Sequence, residues 1–483
     1  MLNASSNHAP PALNLCNPQK RPLKLRIWSS IKWCRTLSSP ASKVARIAVL
    51  IKVLGVSGGG EPLHLHSTYA TSISDIDWEK CKQHSNYTLK CALKKLHEKK
   101  DTVSATQFKI LEQMYGFAWN PYNVILNERY DIELVSALSY DWAHGYLCDG
   151  AADAELGLVM QCLQRQTPVG YKDLGAYVQG WTFPKTLGSV MHLFKEVACR
   201  QAVRKGVFTC TASEFLTLSP VLKRFFVCIC RPQGDLPKHV ESFISVLTVI
   251  EELQGVKRGA SSPDALRGAI EDHFRKFIDA FGVDWVRPKH HYNRHLPDML
   301  RRFGVLLNTL VHERKHRLVK KYATRSNLRK YDLGVLEDVT AHMMVDIVDN
   351  FLDARSCASP SPRLRVTLAD VLPGFHLASI VVHSMVSVQS GRACVGDVLL
   401  YVHEGARCVG ELLVAASSSE NEVVAVLSCW DLLDMGDHVG YTTYAVRNDV
   451  GSVVPLRDLQ TALTCRFSGR RGQCLVYLPL GFR

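Results

Sequence analysis

A basic, histidine-rich segment at residues 287–330 holds most of the side chains in this chain that could do chemistry. It contains thirteen Lys or Arg residues and five His, but only two acids, Asp298 and Glu313. Glu313, whose immediate neighbours include several cations, suggests one of two kinds of site. Either Glu313 holds a metal ion in a phosphate-binding site, or it belongs to a zinc site.

The zinc interpretation depends on residues 312–316, which spell H-E-x-x-H. On a helix, His312 and His316 would bind zinc from consecutive turns, and Glu313 would act as the general base of a peptidase. Glu337 would be the third ligand. However, the two x positions hold Arg and Lys, and two cations beside a dication are electrostatically unfavourable.

A second pair of chemically useful side chains lies at residues 141–144, which read D-W-A-H. Asp141 and His144 are three positions apart and therefore share one face of a helix. Such a pair could bind a divalent metal ion or orient a water molecule. A first-turn Asp beside a packed His would leave the same pattern, and on these residues alone that ordinary structural interpretation is favoured.

The positive charge is concentrated in the first 60 residues and in the basic segment. The formal net charge is +13, and residues 1–60 carry nine Lys or Arg residues and no acid. Local cationic clusters favour contact with a polyanion, so DNA is the expected partner. We expect residues 1–60 to be a disordered leader, although an acid-free, Arg- and Ser-bearing leader is also typical of an organellar transit peptide.

Cysteine spacing and hydropathy argue against several other classes of protein. No C-x-x-C occurs among the sixteen cysteines, which disfavours a zinc finger. No signal peptide is visible, so reduced thiols are expected rather than disulfides. The best apolar stretch, at 47–56, is short and contains Lys52, so no membrane partner is predicted. No feature indicates a small-molecule substrate.

Hydrophobic periodicity predicts a mainly helical region at 61–355 and a small all-β domain at 364–483. Helical spacing occurs at 75–116, 131–165, 213–230, 240–253, 262–281, 297–322 and 333–352, whereas 170–184 is predicted to be a loop. The Ser- and Pro-rich residues 356–363 predict a linker. Beyond them, short apolar runs between turn-rich stretches predict a β-barrel or sandwich.

From about residue 111 to residue 352 the chain resembles the later part of CACTA (En/Spm)-type DNA transposases. Residues 141–144 are similar to the D-x-x-H signature of that group. Residues 288–297 (PKHHYNRHLP), followed by 302–304 (RFG), resemble its P-K-x-H-x-x-x-H-x-P block and R-x-G. Residues 313–320 resemble the E-x-K-H-x-x-x-K helix that carries its last catalytic acid. The match covers about half of the chain.

The resemblance implies an α+β protein whose helical block derives from an RNase H-like core. It implies three carboxylates that hold two Mg²⁺ or Mn²⁺ ions for DNA strand cleavage and transfer. By carry-over, Glu313 would be the last catalytic metal ligand. Asp141 would either be a second metal ligand or only support the site, and His144 would orient it. The expected phosphate contacts are Arg294, Arg302, Lys315, Arg317 and Lys320.

The sequence departs from the family at the first catalytic Asp, which should lie on an early strand. The first 110 residues offer only Asp75 and Asp77 as candidates. A site with two of three carboxylates binds metal poorly, so two versions of the interpretation stay open. One is an active two-metal transposase, and the other is a truncated, folded remnant that keeps DNA binding alone.

The C-terminal domain adds a third class, a non-catalytic chromatin or DNA interaction protein. Residues 396–401 (GDVLLY) are loosely similar to the opening of chromatin-reader barrels such as the BAH module. Four aromatic residues in the same domain could form a binding surface, but we expect them in its core: Trp430, Tyr441, Tyr444 and Tyr477. The DNA interpretations imply a nuclear protein, with self-association left open. A genuine transit peptide would instead imply an organelle.

Overall fold

A computed structural model describes a helical block and a C-terminal β-domain. The described residues are 85–115, 139–147, 149–234, 236–308, 379–418, 422–434, 439–449, 451–468 and 472–482, with a few single residues and short runs between 119 and 375 and at 436. The chain divides into two compact units. One contains the first two described helices together with residues 302–304, and the other contains residues 140–301 and the chain from 305 onward.

The first unit contains helices α1 (Asn86–Lys99) and α2 (Ala105–Tyr115). Ser85 caps α1 in a capping box with Thr88, and the apolar face predicted by the sequence is buried. The described part of the helical run predicted at 75–116 is mostly helical, but it is divided into two helices. Ser104 breaks it, because Ser104 exchanges capping hydrogen bonds with Gln107 and so begins a new helix.

The second unit opens with the helical block. Its α-helices are α3 (Trp142–Tyr146), α4 (Ala151–Gln166), α5 (Tyr171–Gln179), α6 (Glu196–Lys205), α7 (Ala212–Phe225), α8 (Arg231–Gln233), α9 (Pro237–Val256), α10 (Pro263–Phe281), α11 (Pro288–Asn293) and α12 (Leu296–Phe303). The last two residues of α12, Arg302 and Phe303, belong to the first unit. A π-helical turn, Phe226–Cys230, joins α7 to α8. Short 3₁₀ turns lie at Lys185–Leu187, Met191–Phe194 and Val283–Trp285.

Helices α9 and α10 pack together along their length and form the centre of this block. Phe243 of α9 and Phe277 of α10 are almost fully buried. Ser262 caps α10 by accepting a hydrogen bond from the N–H of Ala265. Both helices were predicted from the sequence within a few residues. The loop predicted at 170–184 is wrong in its first half, which is helix α5.

The β-domain is built from short strands, of which the described residues form twelve. They are β1 (Ala354–Ser356), β2 (Val381–Val388), β3 (Gly391–Cys394), β4 (Val398–His403), β5 (Ala406–Ser417), β6 (Val424–Leu427), β7 (Asp431–Asp434), β8 (Tyr441–Ala445), β9 (Ser452–Pro455), β10 (Leu459–Ala462), β11 (Cys465–Phe467) and β12 (Gln473–Tyr477). The 3₁₀ turn Leu456–Asp458 joins β9 to β10.

All the strand pairs of this domain are antiparallel in the part of the chain that is described. The larger sheet runs β1-β2-β5-β4-β10, with β3 beside β2 and with β6 linking β5 to β9. The smaller sheet runs β11-β12-β8-β7. The long strand β5 pairs with β4 through its first half and with β2 and β6 through its second half. The sheet therefore curls into a nearly closed, barrel-like form.

The α+β class and the barrel-like C-terminal sheet are confirmed. The expected core aromatic residues of the β-domain, including Trp430 and Tyr441, are buried. The linker predicted at 356–363 falls on residues outside the description, apart from Ser356 in β1. No helix among the described residues is both long enough and apolar enough to cross a membrane.

The β-domain packs directly on the helical block within the second unit. Asp397, which is buried, accepts hydrogen bonds from the backbone N–H groups of Lys185 (3.0 Å) and Cys394 (2.7 Å). Thr182 and Cys465 exchange backbone hydrogen bonds as an isolated antiparallel bridge. These contacts join positions far apart in sequence, so the two regions form one folded body.

Candidate functional site

Asp141 of the D-x-x-H pattern begins helix α3. Its backbone is extended (φ −84°, ψ 110°), and its Oδ1 accepts a hydrogen bond from the N–H of Ala143 at 2.9 Å. This is the N-cap role that Asp takes because a short carboxylate can reach an otherwise unpaired N–H of the first turn. The cap fixes the carboxylate at one end of the helix.

The second oxygen of Asp141 lies 2.7 Å from Nδ1 of His144. The Asp141 side chain is 16% exposed and the His144 side chain 43%, so the pair lies at the surface rather than in the core. A carboxylate on Nδ1 fixes the orientation of the imidazole ring and favours the protonated form of that nitrogen. The spacing of three residues brings the two side chains together as expected, although Asp141 caps the helix instead of lying within it.

The block at 288–297 packs directly beneath helix α3. Nδ2 of Asn293 donates to the carbonyl of Gly145 at 3.2 Å, and the Asn293 side chain is buried. A Cβ atom at position 145 would overlap Oδ1 of Asn293, so this close approach requires glycine. Two motifs more than 140 positions apart are thus held in contact.

Aromatic rings extend the contact between the two segments, through Tyr140, the residue before Asp141. The ring of Tyr140 stacks on Tyr292, with centroids 5.2 Å apart, and lies 5.7 Å from the ring of His295. The N–H of Trp142 donates to the carbonyl of Leu307 at 3.3 Å. Leu307, one residue before the end of the described range 236–308, therefore lies beside helix α3.

The two predicted phosphate contacts that can be located have different surroundings. Arg294 is buried, stacks on Phe274 and makes a two-pronged ion pair with Glu271, with N···O distances of 3.1 and 2.9 Å. A phosphate contact by Arg294 would require this pair to open. Arg302 is exposed, and its guanidinium lies over the ring of Phe303.

Of the remaining predicted site residues, the structure describes Glu337 alone. Glu337 is described and exposed, on a short helical stretch. The following predicted residues lie outside the described part of the chain: Asp75, Asp77, His312, Glu313, Lys315, His316, Arg317 and Lys320. Among described residues, no group of three His, Cys, Asp or Glu side chains could hold a metal ion. The described residues alone do not compose the predicted carboxylate metal site.

The sequence did not predict a buried polar network within the helical block, which joins helices α4, α9 and α10. Glu155, which is fully buried, accepts a hydrogen bond from Oγ of Ser242 at 2.6 Å and lies 2.8 Å from Nε2 of His273. Its one sequence signal is an acid on the apolar face of α4. In a hydrolase triad the serine contacts the imidazole, whereas Ser242 contacts the carboxylate, and all three residues are buried. The network is therefore structural.

His290 is a second buried group of this region. Its Nδ1 accepts a hydrogen bond from the N–H of Arg287 at 3.0 Å, and burial lowers the pKa of His290 to about 3. The nearby His273 contributes to this lowering of the pKa. His290 is therefore a neutral cap of helix α11 at ordinary pH, because a buried imidazolium would lose its hydration.

Neither a protein-family model, a curated protein nor a solved structure matches this chain.

Proposed function

We propose that this chain is a transposon-derived DNA-binding protein whose helix α3 and 288–297 block belong to one site. The observation that supports this most directly is the packing of Asn293 against Gly145, with the ring of Tyr292 stacked on Tyr140. The resemblance to CACTA-type transposases implies that both segments lie at the catalytic centre. The contact brings the two motif segments side by side, as a shared site requires.

The path of the chain also supports a shared site with Glu313. Leu307 is hydrogen-bonded to Trp142, the residue after Asp141. Position 313 is six Cα–Cα steps beyond position 307, and a chain of that length spans at most about 20 Å. Chain length therefore permits Glu313 to share a site with Asp141, as the proposal requires.

The Asp141–His144 pair gives the site a fixed carboxylate and an oriented imidazole. In the proposed function, Asp141 and Glu313 would hold Mg²⁺ or Mn²⁺, which would activate the attacking oxygen when bound. Asp141 already accepts from Ala143 and lies against His144, and no further described carboxylate joins it. We therefore propose DNA binding as the retained activity and leave cleavage to experiment.

The expected DNA contacts would come from the basic segment and the leader. In the described part of that segment, Arg301 is paired with Asp264 and Asp298, and Arg294 with Glu271. Arg302 is the exposed described residue of the predicted phosphate set. DNA binding thus depends on Arg302 and on the cations at 315–320, and a protein that binds DNA in this way would act in the nucleus.

Two measurements on the full chain test the proposal. The first is DNA affinity at several salt concentrations, where each lost phosphate contact lowers the slope of log affinity against log salt by about one. We expect salt-dependent binding that weakens in Arg302→Ala and in the double variant Lys315→Ala/Lys320→Ala. Binding that is insensitive to salt and to these changes would refute the proposal.

The second measurement is nicking of supercoiled plasmid in Mn²⁺. Asp141→Asn and Glu313→Gln test the two carboxylates, EDTA tests the metal, and Asp434→Asn is the matched control because Asp434 is exposed on strand β7 of the β-domain. Nicking that is lost in both variants and in EDTA would establish an active transposase-type site. Folded protein that binds DNA without nicking it would establish the remnant.

A further inference from the structure

We propose that His291 and His295 form a binding site for a divalent transition-metal ion such as Zn²⁺, Ni²⁺ or Cu²⁺. Their Nε2 atoms lie 3.4 Å apart, and their ring planes are nearly perpendicular, at 78°. This site uses imidazole nitrogen rather than carboxylate oxygen. It is therefore chemically distinct from the Mg²⁺ or Mn²⁺ site of the proposed function.

The separation of the two nitrogens matches what a shared metal ion requires. With metal–nitrogen bonds of about 2.05 Å and tetrahedral angles, two ligand nitrogens lie about 3.3 Å apart. A strong hydrogen bond would bring the donor and acceptor closer, to about 3.0 Å. The observed 3.4 Å is thus long for a hydrogen bond but close to the edge of a metal-centred tetrahedron.

A tight turn between α11 and α12 positions the pair. The N–H of Arg294 donates to the carbonyl of His291, and the N–H of His295 donates to that of Tyr292, both at 3.1 Å. The rings of Tyr140 and Tyr292 pack against the two imidazoles. Because packing already fixes both rings, less side-chain entropy is lost when a metal ion binds.

Charge and access also suit a dication. His295 is buried and His291 is half-buried, so His291 is the more accessible of the two. The two cations of the same segment are occupied elsewhere. Arg294 pairs with Glu271, and Nζ of Lys289 donates to the carbonyl of Asp149. This differs from the H-E-x-x-H segment, where Arg and Lys lie between the two histidines.

Two imidazoles leave further coordination positions for water or another oxygen ligand. Affinity should therefore be lower than in a closed four-ligand zinc site, and selectivity should follow the preference of imidazole for Zn²⁺, Ni²⁺ and Cu²⁺ over Mg²⁺.

The test is calorimetric titration of the full chain with ZnCl₂ and, separately, MgCl₂, without DNA. We expect one zinc ion per chain, no competition from Mg²⁺, and at least about tenfold weaker zinc binding in His291→Ala, since loss of a mere supporting partner already costs tenfold or more. His403→Ala, which removes a half-buried histidine of β4, is the matched control.

Two further arms separate this site from alternatives. The double variant His312→Ala/His316→Ala should bind zinc as the unmodified chain does, and loss of binding there would assign the ion to the H-E-x-x-H segment and overturn the proposal. Electron paramagnetic resonance of the unmodified chain with one equivalent of Cu²⁺ should show nitrogen coupling from two imidazoles, a readout that needs no folded variant. A copper spectrum without nitrogen coupling would overturn it equally. Because DNA is absent, neither result depends on the proposed function.

Discussion

At the scale of single residues, Asp153 is the group whose burial has the clearest energetic consequence. It lies in the first turn of α4, is almost fully buried, and accepts a hydrogen bond from the N–H of Ala154. Burial is the main cause that raises the pKa of Asp153 from 3.8 to about 7, and the nearby Asp149 adds to it. The folded state therefore retains a proton that the unfolded state loses.

This difference predicts a pH dependence of stability. Between about pH 4 and pH 7 the folded chain binds more protons at Asp153, so the free energy of unfolding falls as the pH rises through this window. At about 1.4 kcal/mol for each pKa unit, the full cost above pH 7 is on the order of 4 kcal/mol. Urea unfolding at several pH values should show this decline flattened in Asp153→Asn. The exposed Asp284→Asn should keep it, and an unchanged slope in Asp153→Asn would contradict the buried carboxylate.

Asp141 allows its capping and chemical roles to be separated. Asp141→Ala removes the acceptor for the Ala143 N–H and should lower the free energy of unfolding by about 1 kcal/mol, whereas Asp141→Asn keeps a capping oxygen and should cost less than about half of that. Urea unfolding of both variants measures the difference. Equal losses in the two would mean that the charge towards His144, and not the cap, stabilises helix α3.

At the scale of elements, the contact between α3 and the 288–297 block depends on one glycine. Gly145→Ala should destabilise the chain by about 1–3 kcal/mol, because the new methyl group overlaps buried Asn293. In an Asn293→Ala background the same change should be neutral or stabilising, since Ala favours helix over Gly by about 1 kcal/mol. A double-mutant cycle by urea unfolding measures whether the effect of Gly145→Ala on the free energy of unfolding changes sign. Additive effects would show that the two segments do not touch.

The sequence predicts elements well where local signals agree with packing. Helices α9 and α10 have long apolar periodicity and a clear cap at Ser262, so their prediction succeeds. Helix α5 was not predicted, because three glycines at 170, 175 and 180 are typical of a loop. Gly175 is instead selected by the close packing of Phe194, a tertiary contact that no local pattern reveals.

The same limit applies to the candidate site. The three-residue spacing of Asp141 and His144 predicted that their side chains lie on the same side of the chain, and their contact is local. Arg294 was predicted to contact a phosphate because it lies in a motif of the resembled family. In the structure it forms an ion pair with Glu271, on another helix. Only the fold shows which cations are already paired.

At the scale of the whole molecule, the β-domain and the helical block share a polar and aromatic interface. The guanidinium of Arg224 lies 4.6 Å from the ring centroid of Tyr441, which also meets Trp181 edge to face. The hydroxyl of Tyr477 donates to Glu251 at 2.8 Å. An interface that includes buried hydrogen-bonded groups is specific to one arrangement, because a shifted arrangement would leave those groups unpaired.

Asp397 is the residue at which this coupling can be tested. Asp397→Ala leaves the N–H groups of Lys185 and Cys394 without their acceptor, at a cost of about 2–4 kcal/mol. If the two regions form one cooperative body, hydrogen exchange should quicken together in the helical residues 171–187 and in strands β2 to β4. Asp434→Ala, on the exposed strand β7, should leave both unchanged. Faster exchange confined to the β-strands would show that the domains unfold independently, and the chain would then behave as a tethered pair rather than as one body.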